Sequence, residues 1–389
     1  MDTSSTRRPA GVRAYRALRK KSGIERSPHV PAGSTALDSN AIGCGAREGH
    51  VLRKRVRRIH RIESFELESG EVLRDVEQAY HLDGKLNEDR DNAVVIFHAL
   101  TGSADAVGDW WSDVLGPGRA VDTERYAIVC ANFVGSCYGS TGPSDPARRP
   151  FPRVTTRDLA RLVRELIDHL GIRRVRLATG GSLGGMVALE WAASYPELTD
   201  RTVVFAAPAS HTAAAIGWSH IQRRMIEAAG DTGLEIARMV AMMTYRTAGE
   251  FQDRFGRDRN GNGSFSVESY LSRHGEKLLA RFDADSYLTL LETMDAHDVG
   301  KGRGGAEAVL RPVGDRLIGV GIPGDLLYRE EDVLEWVRLA GATYRQVHSK
   351  RGHDGFLLEP DQVGPILTEA LGAADVPAPI AQIAGGRSR

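Results

Sequence analysis

Short apolar runs and amphipathic stretches alternate through the first half of the chain. Ala93 to Phe97 (AVVIF) and Tyr126 to Ala131 (YAIVCA) are apolar at consecutive positions and rich in β-branched residues. Val175 to Ala178 and Val203 to Ala206 repeat the pattern. A strand buried on both faces reads this way, whereas a half-exposed strand alternates. Between the second and third runs, Leu159, Leu162, Val163, Leu166, Ile167 and Leu170 recur at the spacing of a helix with one apolar face. Strand, helix, strand in succession predicts an α/β fold: a mostly parallel sheet with helices on both faces. Upstream, Ser64 to Tyr80 alternates like an antiparallel hairpin at the sheet's edge.

The alternation stops near His211. From there to Gly305 the chain reads as helices and loops, with candidate helices at Ile221 to Ala229, Gly233 to Met243 and Val267 to Leu279. Strands resume at Leu317 to Ile322 and Tyr344 to Val347. The pattern therefore predicts one core, residues 58–210 and 306–372, interrupted by a helical insertion, residues 211–305. An insertion there is placed to act as a lid over the carboxyl ends of the strands, where such sheets bind ligands. The flanks differ. Before Arg58, basic residues such as Arg7, Arg8, Arg13, Arg16, Arg19, Lys20 and Lys21 dominate and apolar periodicity is missing. Such a segment buries too little surface to offset its ordering entropy, so residues 1–57 read as a disordered tail. It has no apolar core of the signal-peptide kind. Residues 373–389, rich in Ala, Pro and Gly, read as a second tail.

Gly180-Gly181-Ser182-Leu183-Gly184 is the strongest local signal for chemistry. It matches G-x-S-x-G and sits between a predicted strand and a predicted helix, Gly185 to Tyr195, the context that a nucleophile elbow requires. A serine on so sharp a turn has strained dihedrals, and glycines at 180 and 184 remove the side chains that would collide there. Its hydroxyl then sits at a helix N-terminus, which favours developing negative charge. A serine hydroxyl needs a base, and in this arrangement an acid and then a histidine follow along the chain. Asp325 follows one late strand and His353 the next. Asp315 and Asp332 compete for the acid, and His348 and His297 for the base. The oxyanion donors expected are the N–H groups of Leu183, after the nucleophile, and of Leu100, in the loop after AVVIF.

Other signals carry less. The run Gly300-Lys301-Gly302-Arg303-Gly304-Gly305 lacks phosphate-loop spacing. Asp295, His297 and Asp298 have no matching ligand cluster, so no metal site is expected. Cys44, Cys130 and Cys137 form no C-x-x-C pair and are odd in number, which fits a reducing, cytoplasmic compartment better than a disulfide framework. Formal net charge is zero, which supplies no electrostatic argument for nucleic acid or an anionic membrane surface. No apolar run approaches the ~18 residues of a membrane span.

Beyond the elbow, several stretches resemble the homoserine O-acetyltransferases of the α/β-hydrolase superfamily: HALTG (98–102), GPGRAVDTERY (116–126), GSCYGSTGPSD (135–145), GGSLGGMVALEWA (180–192), TYRTAGEFQDRFGR (244–257), FSVESYL (265–271), RFDADSYLTLLETMDAHDVGKGRGG (281–305) and GHDGFLLE (352–359). The resemblance runs from about Arg58 to Leu371 and includes the insertion. It implies transfer of an acetyl group from acetyl-CoA, a co-substrate rather than a bound cofactor, to the hydroxyl of L-homoserine. Ser182 would be acylated first, in a ping-pong cycle with His353 and Asp325. It further implies that Arg223 binds the acceptor carboxylate, Asp354 meets its amino group, and the protein is a homodimer. Asp105 to Asp109, Phe133 to Ser136 and Ala209 to Thr212 depart from the usual pattern, which leaves L-serine as an alternative acceptor and succinyl-CoA as an alternative donor. An esterase using the same triad with water is the competing reading, followed by a non-catalytic binding protein on the same scaffold.

Overall fold

The computed structural model describes residues 56–374. The expected tails lie outside them, apart from two residues at each end. Among the described residues the sheet has eight strands in the order β1-β2-β4-β3-β5-β6-β7-β8. Strands β1 (Arg58–Glu66) and β2 (Val72–Asp83) form an antiparallel hairpin, and β2 pairs antiparallel with β4. From β4 (Ala127–Ala131) through β3 (Ala93–Phe97), β5 (Val175–Gly181), β6 (Thr199–Phe205), β7 (Leu317–Gly321) and β8 (Thr343–Gln346) all pairing is parallel.

The central strands lie where the apolar runs put them, because both faces are covered. Every residue of β3, β4 and β7 is buried. Alternate positions feed opposite cores. Val95, Phe97 and Ala178 join one apolar cluster, while Val94, Ile96 and Leu177 join the other with Trp111 and Leu367. The hairpin starts earlier and ends later than its alternation suggests. β1 is a largely exposed edge strand whose Arg, His and Glu positions mask the pattern.

The helices are α1 (Thr156–His169), α2 (Leu183–Ser194), α3 (Ala213–Ala229), α4 (Asp231–Tyr245), α5 (Ala248–Phe255), α6 (Ser266–Leu279), α7 (Ala284–Asp295), α8 (Ala306–Leu310), α9 (Glu330–Ala340), α10 (Gly355–Leu358) and α11 (Pro360–Ala374). Helix α1 starts at a capping box in which Thr155 and Asp158 satisfy each other's backbone N–H groups. Helices α3 to α8 all lie between β6 and β7. Helices α5, α7 and α8 add to those foreseen. Tyr287, Leu290, Leu291 and Met294 carry a legible helical period in α7 and are buried. No helix among the described residues is long and apolar enough to cross a membrane.

Candidate active site

Strand β5 ends in the elbow. Ser182 has φ 58° and ψ −126° and is the cap residue of α2. Its N–H donates to Phe205 O at 3.0 Å, tying the turn to β6. The flanking glycines are required by space. A Cβ on Gly180 would lie 2.6 Å from both Gly184 O and Phe97 O, and one on Gly184 would lie 2.1 Å from Phe97 O. These neighbours are backbone and cannot swing away. Gly184→Ala is therefore expected to cost about 3 kcal/mol or more, at the upper end of overpacking penalties. Thermal unfolding checks this; a Tm unchanged from wild type would contradict the packing described.

Asp325 lies in the loop after β7 and His353 in a single tight turn, Gly352–Asp354, after β8. His353 Nδ1 meets Asp325 Oδ2 at 2.6 Å. The other carboxylate oxygen accepts from the N–H groups of Leu327, at 2.8 Å, and Tyr328, at 3.0 Å. Both side chains are buried. Burial alone would pull the His353 pKa down. The Asp325 charge and hydrogen bond, joined by the charge of Asp354, outweigh it, and the pKa lies above the ordinary 6.5. The rings of Tyr245, Tyr328 and Phe356 enclose the imidazole, at 5.6, 5.4 and 5.7 Å between centroids. Phe356 also joins this group to the elbow, since a Cβ on Gly181 would be 2.5 Å from the Phe356 ring. His353 Nε2 is buried without a hydrogen-bond partner, so no bond to the serine hydroxyl is formed in this state. Such bonds are often long until substrate is bound.

The rival candidates are placed elsewhere. His348 and Asp315 are exposed, and Asp332 bonds to the start of α9 through Arg329 N. His297 is fully buried between Thr156 Oγ1 and Pro208 O, and burial pushes its pKa down to about 3. Asp295 pairs with Arg223, so it and His297 serve separate contacts; no cluster of three metal-ligating side chains occurs among the described residues.

Leu183, as the first residue of α2, has an N–H that no intrahelical carbonyl can accept. Leu100 is buried in the turn after β3. Gly102 N donates to Ala99 O at 2.9 Å to close that turn. His98 supports it: Nδ1 bonds Ala99 O at 2.8 Å, and Nε2 accepts from Phe133 N at 3.0 Å. Burial pushes the His98 pKa down to about 4, so the ring is neutral and its tautomer is set by these two bonds.

Arg223 projects from α3 and pairs with Asp295, the last residue of α7. Asp295 Oδ1 lies 3.2 Å from His211 Nδ1, and His211 Nε2 shares a 3.0 Å bond with the Tyr328 hydroxyl. Burial would raise the Asp295 carboxyl, but its contacts with His211 and Arg223 prevail and hold it below the usual carboxylate range. A polar chain thus leads from Arg223 to the tyrosine against His353. Asp354 pairs with Arg246 at 3.0 Å. Tyr328, Tyr245, Arg246 and the Asp295–His211 link were not foreseen as site residues. They approach the dyad from distant segments, and no local spacing announces such contacts.

The alpha/beta hydrolase fold model matches residues 92–230. The homoserine O-acetyltransferase of Thermobifida fusca is 42% identical over 79% of this chain and 92% of its own length. That of Thermus thermophilus is 43% identical over 80% of this chain and 90% of its own. The chain belongs to the homoserine O-acetyltransferase family. It is accordingly an acyltransferase. Among solved structures, the family member from Staphylococcus aureus superposes with TM-score 0.72 and 29% identity, covering 82% of this chain and 95% of the other. Esterase E22 superposes with TM-score 0.74 over 82% of this chain and all of the other; at 20% identity it shows the shared fold alone.

Proposed function

We propose that the protein transfers an acetyl group from acetyl-CoA to the hydroxyl of L-homoserine, through an acyl intermediate on Ser182. The observation that carries the reading is the buried His353–Asp325 pair joined through Phe356 to the serine on its strained elbow. His353, neutral at Nε2, removes the Ser182 proton as the hydroxyl attacks the thioester carbonyl. Asp325 fixes the tautomer and stabilises the imidazolium that forms. The Leu100 and Leu183 N–H groups receive the charge on the carbonyl oxygen. Collapse expels the CoA thiolate, which takes the proton from His353. His353 next deprotonates the acceptor hydroxyl, that oxygen attacks the acyl-serine carbonyl, and collapse frees Ser182 Oγ, which takes the proton back from His353. The helical insertion, residues 211–305, acts as a lid that limits access of water, the competing nucleophile.

Arg223 holds the acceptor carboxylate in this reading, since a guanidinium presents paired donors to a carboxylate. Asp354 meets the acceptor ammonium. Both already have partners, Asp295 and Arg246. These partners orient the two charged groups before substrate arrives. Arg223→Ala is expected to raise the KM for the acceptor by roughly a hundred-fold, the order of a lost charged hydrogen bond, and the KM for the donor by less than about threefold. Equal increases in both would remove Arg223 from the carboxylate site. The overall reading is tested by release of free thiol from acetyl-CoA with L-homoserine or L-serine added separately. Homoserine-dependent release is expected. Preference for serine would change the acceptor and leave the mechanism; release that ignores both would point to a hydrolase.

A further inference from the structure

The turn that carries Leu100 is fastened from two sides. On the core side, His98 and Gly102 hold Ala99 O, at 2.8 and 2.9 Å. On the other side the fastening comes from the segment inserted between β6 and β7. Arg281, just past the end of α6, donates from Nη1 to Thr101 O at 2.7 Å and from Nη2 to Thr101 Oγ1 at 3.3 Å. Nη1 also bonds the Tyr138 hydroxyl. Thr101 directly follows Leu100, so its carbonyl sets the far end of the peptide run in which the Leu100 N–H must be aimed.

Arg281 is itself held in register. Its backbone carbonyl accepts from Cys137 Sγ at 3.7 Å. Its neighbour Phe282 is buried against Tyr138, with ring centroids 5.7 Å apart. The guanidinium is a planar fork whose charge-assisted bonds resist rotation, which an exposed lysine in the same place would not match. Oxyanion donors act only when aimed at the position the oxygen will occupy, and small misplacements cost large factors in rate.

We propose that Arg281 is a positioning residue: it makes competent aim of the Leu100 N–H depend on docking of the inserted helices against the core. Acylation is then fast only when the segment that excludes water is in place, which disfavours loss of the acyl group to water in an open state. The inference rests on the reading of Ser182 as the acylated nucleophile and of Leu100 as an oxyanion donor.

The test is the burst of nitrophenolate from p-nitrophenyl acetate, which follows acylation without CoA or acceptor. Arg281→Met keeps the aliphatic stem and removes the fork. It is expected to slow the burst about ten- to a hundred-fold, less than deleting an oxyanion donor outright. KM for homoserine in the full reaction should not rise by more than about twofold, because the acceptor contacts are untouched. Arg281→Lys should recover part of the burst rate but not all of it. A wild-type burst rate in Arg281→Met, or a loss carried by KM, would overturn the proposal. If Arg281→Met does not fold, Arg281→Lys decides: a wild-type burst rate there overturns it as well. Ser182→Ala separates the two readings. A burst that survives in Ser182→Ala would remove the acyl-serine itself, whereas a burst lost there but kept in the Arg281 variants would remove only the positioning role.

Discussion

Ser182→Ala is expected to lower turnover by about a million-fold, the order seen when a triad nucleophile is deleted. The loss should fall on kcat. Donor and acceptor affinities should change little, since the contacts proposed for the acceptor, at Arg223 and Asp354, do not involve the hydroxyl. The fold should persist. Alanine retains the Cβ already accommodated at φ 58°, and the bonds that set the turn are backbone ones, from Ser182 N to Phe205 O and from Met186 N to Ser182 O. The variant should melt at or slightly above the wild-type temperature, because a strained polar residue at an active site is often a cost to stability. Steady-state thiol release and a thermal melt measured together check both halves. Retained turnover would refute the nucleophile, and a large drop in Tm would show that the hydroxyl has a structural role.

Asp325→Asn is the second large effect, about 10⁴-fold in kcat. The asparagine oxygen can still accept from Leu327 N and Tyr328 N, so the loop after β7 should hold. The side chain then turns its amide N–H₂ toward His353 Nδ1. The imidazole must answer with a lone pair at Nδ1, its proton moves to Nε2, and the base is lost. The pH profile gives an independent check. In the wild type, the net effect of Asp325 and Asp354 against burial is a raised His353 pKa. Activity needs the neutral ring, so the acid limb of kcat/KM should lie above pH 6.5 and activity should fall as pH drops through it. Removing the Asp325 charge leaves burial opposed by the Asp354 charge alone, which lowers the pKa. The acid limb of any residual activity should therefore move to lower pH. A limb that stays in place would mean that another group titrates there.

Much of this arrangement is legible in the sequence alone. The buried strands announce themselves because parallel strands covered on both faces must be continuously apolar. AVVIF coincides with β3 residue for residue. The elbow is legible because its glycines answer a local steric demand, and the order of acid and histidine follows from the order of the strands that carry them. Less could be read where contacts join residues far apart. Arg223 and Asp295 are separated by 72 positions, and Arg281 and Thr101 by 180. Nothing periodic marks such partners. Asp295 and His297 first suggest metal chemistry by their proximity in sequence. In the fold their side chains serve different networks, one toward Arg223 and one into the core below α1. Asp354 could be picked out by its place beside His353, but its pairing with Arg246 could not.

The most direct test of the account is to mix the enzyme with acetyl-CoA alone, quench, digest and locate the acetyl group by mass spectrometry, then repeat after a chase with L-homoserine. Acetyl is expected on the Ser182 peptide, discharged far faster by homoserine than by buffer, with O-acetylhomoserine formed in equal amount. No acetyl on Ser182, or discharge at the same rate with and without homoserine, would contradict it.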